Sequence, residues 1–306
     1  MELRGGPVDR GVLAIDRLTV GYFTITGLWA LSTGGGPGLA IAGIHLALCL
    51  GILLLSRWEP ERGFLSFIRV CYPMMAMPAM YAELSVLNRF VTTRYFDDVV
   101  IGWDQVLFGG QPSMFLSDVL PWVPFSEVMH LGYMSYYLIL PAPVIAGYLA
   151  SGRDGMQRSS FTVMASFYTC YMFFITFPVT GPRYEFERIG GAIADGTMYH
   201  IVHTALEGGS SKGTAFPSSH VAATVAATIA AGRHDIRWLW AMLVPGAILI
   251  VSTVYGRFHY AIDAVVGFVV GIAVAAAVPA VYRALRGRDR RISGRQPGQT
   301  PGHPSG

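Results

Sequence analysis

Apolar residues fall in eight blocks along the chain, at roughly 13–33, 38–56, 65–88, 127–149, 159–179, 217–232, 238–256 and 260–282. Most approach the ~20 residues that a helix needs to cross the hydrocarbon core of a bilayer. Backbone polar groups in lipid must be satisfied within the chain, and a helix does this segment by segment. The pattern therefore predicts an all-α, polytopic transmembrane helix bundle of about eight spans. Block three carries Pro73 and Pro78, which predict a kink. Block six is rich in alanine, and block eight holds Gly267 and Gly271 at GxxxG spacing. Such small residues let helices approach closely, so both predict ordinary helix packing. Asp16 and Arg17 interrupt the first block, which also runs too long for a signal peptide; none is expected.

Composition agrees. Of 306 residues, 53% are hydrophobic and only 13% charged, against about 25% charged in soluble domains. The net charge of +3 is spread through short loops, so no nucleic-acid partner is expected; membrane lipids are. Lys212 is the one lysine among 22 basic residues. Cys49, Cys71 and Cys170 all lie in apolar blocks and read as small buried hydrophobes. With the N-terminus cytoplasmic, 16 basic residues fall on inner segments and 6 on outer ones. By the positive-inside rule both termini are cytoplasmic, and the loops after blocks five and seven face outward. Residues 90–126 mix aromatics with Asp97, Asp98 and Asp104, which suits a helix lying in the interface. Residues 283–306 read as a disordered basic cytoplasmic tail.

Three short stretches carry candidate chemistry. Thr180-Gly181-Pro182-Arg183-Tyr184 follows block five, Phe216-Pro217-Ser218-Ser219-His220 opens block six, and Tyr255-Gly256-Arg257-Phe258-His259-Tyr260-Ala261-Ile262-Asp263 enters block eight. The predicted topology puts all three at the outer face. His259 and Asp263 are four apart, on one helical face, where a carboxylate can fix the imidazole tautomer and leave the other nitrogen free to attack. Pro217 is expected near the first helical position, with Ser218, Ser219 and free N–H groups forming an anion site. His220 in the first turn is placed to protonate a leaving oxygen. Arg183 has a fork suited to phosphate oxygens; Lys212, in a Gly/Ser-rich loop, and Arg257 add charge close to the histidines. No Asp/Glu cluster suggests Mg²⁺ nearby, so no metal or other cofactor is expected.

These stretches resemble the three motifs of the type 2 phosphatidic acid phosphatase superfamily: Lys-x6-Arg-Pro, Pro-Ser-Gly-His and Ser-Arg-x5-His-x3-Asp. Their wording is most similar to the branch containing inositol phosphorylceramide synthase, as is the segment Trp103-Asp104 through Phe108-Gly109 and Pro112. The resemblance spans roughly residues 65–280. It implies a six-helix phosphatase-like core at 65–282, after two N-terminal helices within 1–64. It also implies a metal-independent enzyme of the plasma (inner) membrane, with its site on the periplasmic or extracellular side. His259 is implied as nucleophile, forming a phosphohistidine, with Asp263 orienting it and His220 as general acid. Ser218, Ser219 and Arg183 are implied to hold the phosphate of a lipid substrate. There are departures. Thr176 stands at the first-motif lysine, Thr253 at the third-motif arginine and Ser219 at the second-motif glycine. Arg257 and Lys212 are the expected replacements for the missing charge.

Water as acceptor gives a phosphatase, and an alcohol gives an inositolphosphotransferase-like head-group transferase. An undecaprenyl pyrophosphate phosphatase needs the same site. A transporter using the His/Asp/Arg set is the alternative of another class, but transporters place such groups near the midplane between repeats. Glu83 is expected to meet His130 or a tyrosine of block four. Tyr133, Tyr136 and Tyr137 read as interface-belt aromatics, and His200 and His203 as loop residues.

Overall fold

The computed structural model describes residues 11–58 and 63–293, with side chains to residue 286. Helix makes up 83% of the described residues, and no strand occurs among them. The helices are α1 (Ala14–Thr33), α2 (Gly35–Leu55), α3 (Gly63–Val91), α4 (Asp97–Phe108), α5 (Pro112–Val119), α6 (Val123–Met134), α7 (Tyr136–Ile139), α8 (Ala142–Thr176), α9 (Pro182–Glu185), α10 (Thr197–Gly209), α11 (Ser219–His234), α12 (Ile236–Tyr255) and α13 (Ala261–Ser293). Among the described residues, five stretches are long and apolar enough to cross a membrane: Gly35–Leu55, Gly63–Val91, Val123–Thr176, Ile236–Tyr255 and Ala261–Arg286.

The third of these is 54 residues long and doubles back. Ser151 and Gly152 leave helical geometry, Gly152 with φ of 59°. A Cβ on Gly147 or Gly155 would strike the backbone of the other. In a straight helix eight residues rise about 12 Å, so this contact requires the chain to reverse. Glycine permits both the positive φ and the close backbone approach.

α11 is the central helix and packs against α8, α12 and α13. Its alanines Ala222, Ala223, Ala226, Ala227, Ala230 and Ala231 are all buried. Lipid gives apolar helices little reason to associate beyond tight packing, so small side chains bring the backbones close. Gly267 and Gly271 do the same from α13: a Cβ there would sit 2.5 Å from the Ser218 carbonyl oxygen and 2.6 Å from that of Ala222. The GxxxG pair is indeed packing, and it joins the helix that carries His220 in its first turn to the helix that follows His259.

Two polar clusters tie α1–α3 together. Asp16 receives both Nη groups of Arg69, at 2.9 and 2.6 Å, and the hydroxyl of Tyr72. His45 lies between Thr26 and Glu83 at 3.1 and 2.9 Å. Glu83 therefore meets α2, not block four as expected, because the N-terminal helices pack on α3 and bring His45 to it. One other expectation changes. The C-terminal helix continues through Ser293 rather than ending at 282, since its Arg-, Ala- and Leu-rich continuation favours helix. Residues 1–10, 59–62 and 294–306 lie outside the described residues, so the tail expectation there is not addressed, nor are Arg4, Arg10 and Arg62.

Candidate active site

α4 holds the motif loops in place. Asp97, in its first turn, accepts from the N–H groups of Thr180 (2.9 Å) and Gly181 (2.9 Å) and from the Tyr260 hydroxyl (3.0 Å). Asp104 accepts from Ala261 N–H (3.0 Å) and Ile262 N–H (2.8 Å), the free donors at the start of α13. The loops also bind one another: Ala215 N–H to the Val179 carbonyl and Ser218 N–H to the Asp263 carbonyl, both 2.9 Å. Gly181, at φ 96°, lies so close to the Phe258 carbonyl that a Cβ would be 3.1 Å from it. The three stretches thus meet, and α4 and Gly181 explain how.

At the meeting point, His259 Nε2 is 3.5 Å from His220 Nδ1. Asp263 Oδ2 lies 3.4 Å from His259 Nδ1 and accepts from Tyr260 N–H at 2.8 Å. His259 sits in the turn between α12 and α13, where its N–H and that of Phe258 both donate to the Thr253 carbonyl. Burial pushes the His259 imidazole below its ordinary value, to about 4: removing water disfavours the charged ring. His220 Nε2 is 3.0 Å from the Tyr133 hydroxyl.

A cavity of about 530 Å³ opens beside both imidazoles, within the range of pockets that hold small ligands. His220, His259, Ser219, Arg183 and Thr180 line it, with Tyr81, Tyr133, Tyr136, Tyr137, Tyr171 and Tyr184. The short line between the two facing nitrogens has no room for a tetrahedral anion, so an anion must sit in the cavity in front of them or part them. Arg183 Nη1 is buried and has no partner among the described residues.

The other expected residues are placed differently. Ser218 is the N-cap of α11: its hydroxyl accepts from Val221 N–H and is fully buried, away from the cavity. Pro217 precedes this cap instead of occupying the first helical position, and the Phe216–Pro217 bond is cis. Arg257 points elsewhere. Its guanidinium donates to Ser117 Oγ, Asp118 Oδ1 and the Glu187 carbonyl, at 2.9, 2.9 and 2.7 Å; these partners draw it to α5, and it does not line the cavity. Lys212 stands outside the cavity wall, its ammonium 5.1 and 5.7 Å from the ring centres of Tyr95 and Tyr184. Of the expected cations, Arg183 alone reaches the cavity. Thr176 turns its hydroxyl back to the Met172 carbonyl.

Two groups of residues escaped the sequence reading. Tyr133 and Tyr136 are buried against His220, with ring centres 4.9 and 4.5 Å from it. Their spacing after His130 on a helix was the available signal. His200 and His203 lie on α10, not in a loop; Tyr199, Val202 and Leu206 at helical spacing mark it. Val202 and Leu206 line the cavity, and His203 stacks on Tyr199 at 4.0 Å. Burial, then His130 and Arg183, push the His203 imidazole down to about 4.

Residues 98–277 match the family model described as PAP2 superfamily, well over half of the chain. No curated protein and no solved structure matches it.

Proposed function

We propose, from the premise that the chain belongs to the PAP2 superfamily, that it cleaves a lipid phosphoester at the outer membrane face through a phosphohistidine. Membership suggests a lipid phosphatase-type function. The observation that supports the finer reading is the line Asp263–His259–His220 beside a cavity walled by Arg183. His259 is neutral at neutral pH, as a nucleophile must be. Its Nδ1 faces Asp263, which leaves Nε2 to attack phosphorus. Arg183 and the first-turn N–H groups of α11 hold the phosphoryl oxygens, where charge develops in the transition state. His220 protonates the leaving oxygen, then takes a proton from the acceptor that cleaves the phosphohistidine. Ser219 contributes from the cavity wall, while Ser218 acts by capping α11.

Eight passes with both termini cytoplasmic fit the helix boundaries and the basic-residue bias. That bias survives removal of Arg69 and Arg257, which are buried and paired. The wording of the second and third motifs favours the inositol phosphorylceramide synthase branch, hence transfer of a phospho-head group to an alcohol. The test is incubation of purified protein in excess EDTA with phosphatidic acid, with a prenyl pyrophosphate, and with phosphatidylinositol plus ceramide. Expected is turnover of at least one, absent in His259→Ala; the product identifies water or alcohol as acceptor. Activity lost in EDTA and restored by Mg²⁺ would refute the metal-free mechanism.

A further inference from the structure

The two ring nitrogens of His220 have different neighbours. Nδ1 faces His259 Nε2 at 3.5 Å, whereas Nε2 meets the Tyr133 hydroxyl at 3.0 Å. Tyr133 comes from α6, outside the three motif stretches. It is buried, its ring centre 4.9 Å from that of His220 and 4.4 Å from that of Phe258, the neighbour of His259. Tyr136 packs on the same imidazole at 4.5 Å. The rings hold the plane of His220, and the hydroxyl fixes its rotation.

Which nitrogen of an imidazole works is set by the bond that the other one makes. A hydroxyl suits either state of the ring, accepting from Nε2–H or donating to bare Nε2. We propose that Tyr133 is the positioning residue of His220: it occupies Nε2, so that Nδ1 exchanges protons with the reacting oxygens. This rests on the phosphohistidine reading above. The cycle starts when the bound anion, carrying a proton on one phosphoryl oxygen, passes that proton to His220 Nδ1. In the first step the bond from phosphorus to the leaving oxygen breaks, the bond from His259 Nε2 to phosphorus forms, and the leaving oxygen takes the Nδ1 proton. Nε2–H remains, held by the Tyr133 oxygen. In the second step the acceptor oxygen bonds to phosphorus, its proton passes to Nδ1, and the bond to His259 breaks. Tyr133 keeps its own proton throughout.

The test is Tyr133→Phe, which removes the hydroxyl and keeps the ring. On an alkyl phosphate, whose alkoxide cannot leave without a proton, kcat is expected to fall about tenfold to a hundredfold. KM should stay within about twofold. On 4-nitrophenyl phosphate, whose phenolate leaves unprotonated, kcat/KM, which reports phosphohistidine formation and not its breakdown, should fall by less than about threefold. ¹⁵N-histidine spectra of the full chain in micelles, assigned with His220→Gln, should show a changed His220 tautomer in the Phe variant. Wild-type kcat on the alkyl ester, or equal losses on both esters with a raised KM, would overturn the proposal. His259→Ala separates the two ideas. If that variant stays active, the phosphohistidine reading fails and this proposal with it. If it is dead while Tyr133→Phe is fully active, only the role of Tyr133 falls. Should wild type cleave neither ester, the spectra decide, and an unchanged tautomer overturns the assignment.

Discussion

Asp16 and Arg69 are as deeply buried as any group at the cavity, yet they close on each other, two oxygens against two Nη groups. His45 is likewise engaged on both ring nitrogens, by Thr26 and Glu83. The cavity region is built differently. Arg183 Nη1, Asp263 Oδ1 and His203 Nε2 are buried without partners among the described residues. Burying an uncompensated polar group or charge costs several kcal/mol. In the N-terminal helices the charges of Asp16 and Arg69 compensate each other, although Arg69 Nε and the Tyr22 hydroxyl are left over, and the pair holds the helices together. At the cavity wall Arg183 Nη1 keeps an open donor, which the proposed anion would fill.

That contrast can be broken most forcefully in the N-terminal helices. Asp16→Asn strands the Arg69 charge and should cost about 3–5 kcal/mol of stability. Thermal unfolding in detergent would read this, while turnover per folded molecule stays near wild type. A large loss of turnover in the folded fraction would mean that the cluster is not merely structural. Arg183→Met should leave stability nearly unchanged and lower kcat/KM by about 10²–10³-fold, the usual cost of losing one preorganised donor to a transition-state oxygen. An unchanged kcat/KM would remove Arg183 from the site.

The pH profile sharpens the comparison. In the proposed mechanism the reactive form of His259 is neutral, and burial lowers its pKa to about 4 from an ordinary 6.5. Lowering the pH therefore leaves it reactive until the folded value is approached. At about pH 5.5 an unperturbed imidazole would be mostly charged, whereas here more than half of kcat/KM should persist. An acid limb centred near 6.5 would contradict the burial argument. The smallest effect is expected from Lys212→Met, a change of about twofold or less, because the ammonium faces Tyr95 and Tyr184 outside the cavity wall.

Much of this was legible in the chain. Runs of apolar residues announced the helices because lipid leaves a backbone few alternatives, and the His259–Asp263 spacing announced a shared face. Gly267 and Gly271 announced close packing. What could not be read was where each long side chain turns. Arg257 is two residues from His259, yet α5 and the Glu187 carbonyl claim it, and nothing local in sequence names those partners. Asp97 and Asp104 read as interface charges; as acceptors for Thr180, Gly181, Ala261 and Ile262 N–H groups they clamp the motif loops, a role visible only after folding.

Sequence alone determined the class of molecule, its helices and the residue types of the candidate site, because hydropathy and helical period act over short stretches. Tertiary structure alone decided which cation faces the cavity, which nitrogen of His220 is held by Tyr133, and how near the two imidazoles stand. Those are distances between helices far apart in the chain. They are set by the small-residue contacts of α11 with α13 and by the carboxylates of α4, and no local pattern names the helix or loop that each of these meets.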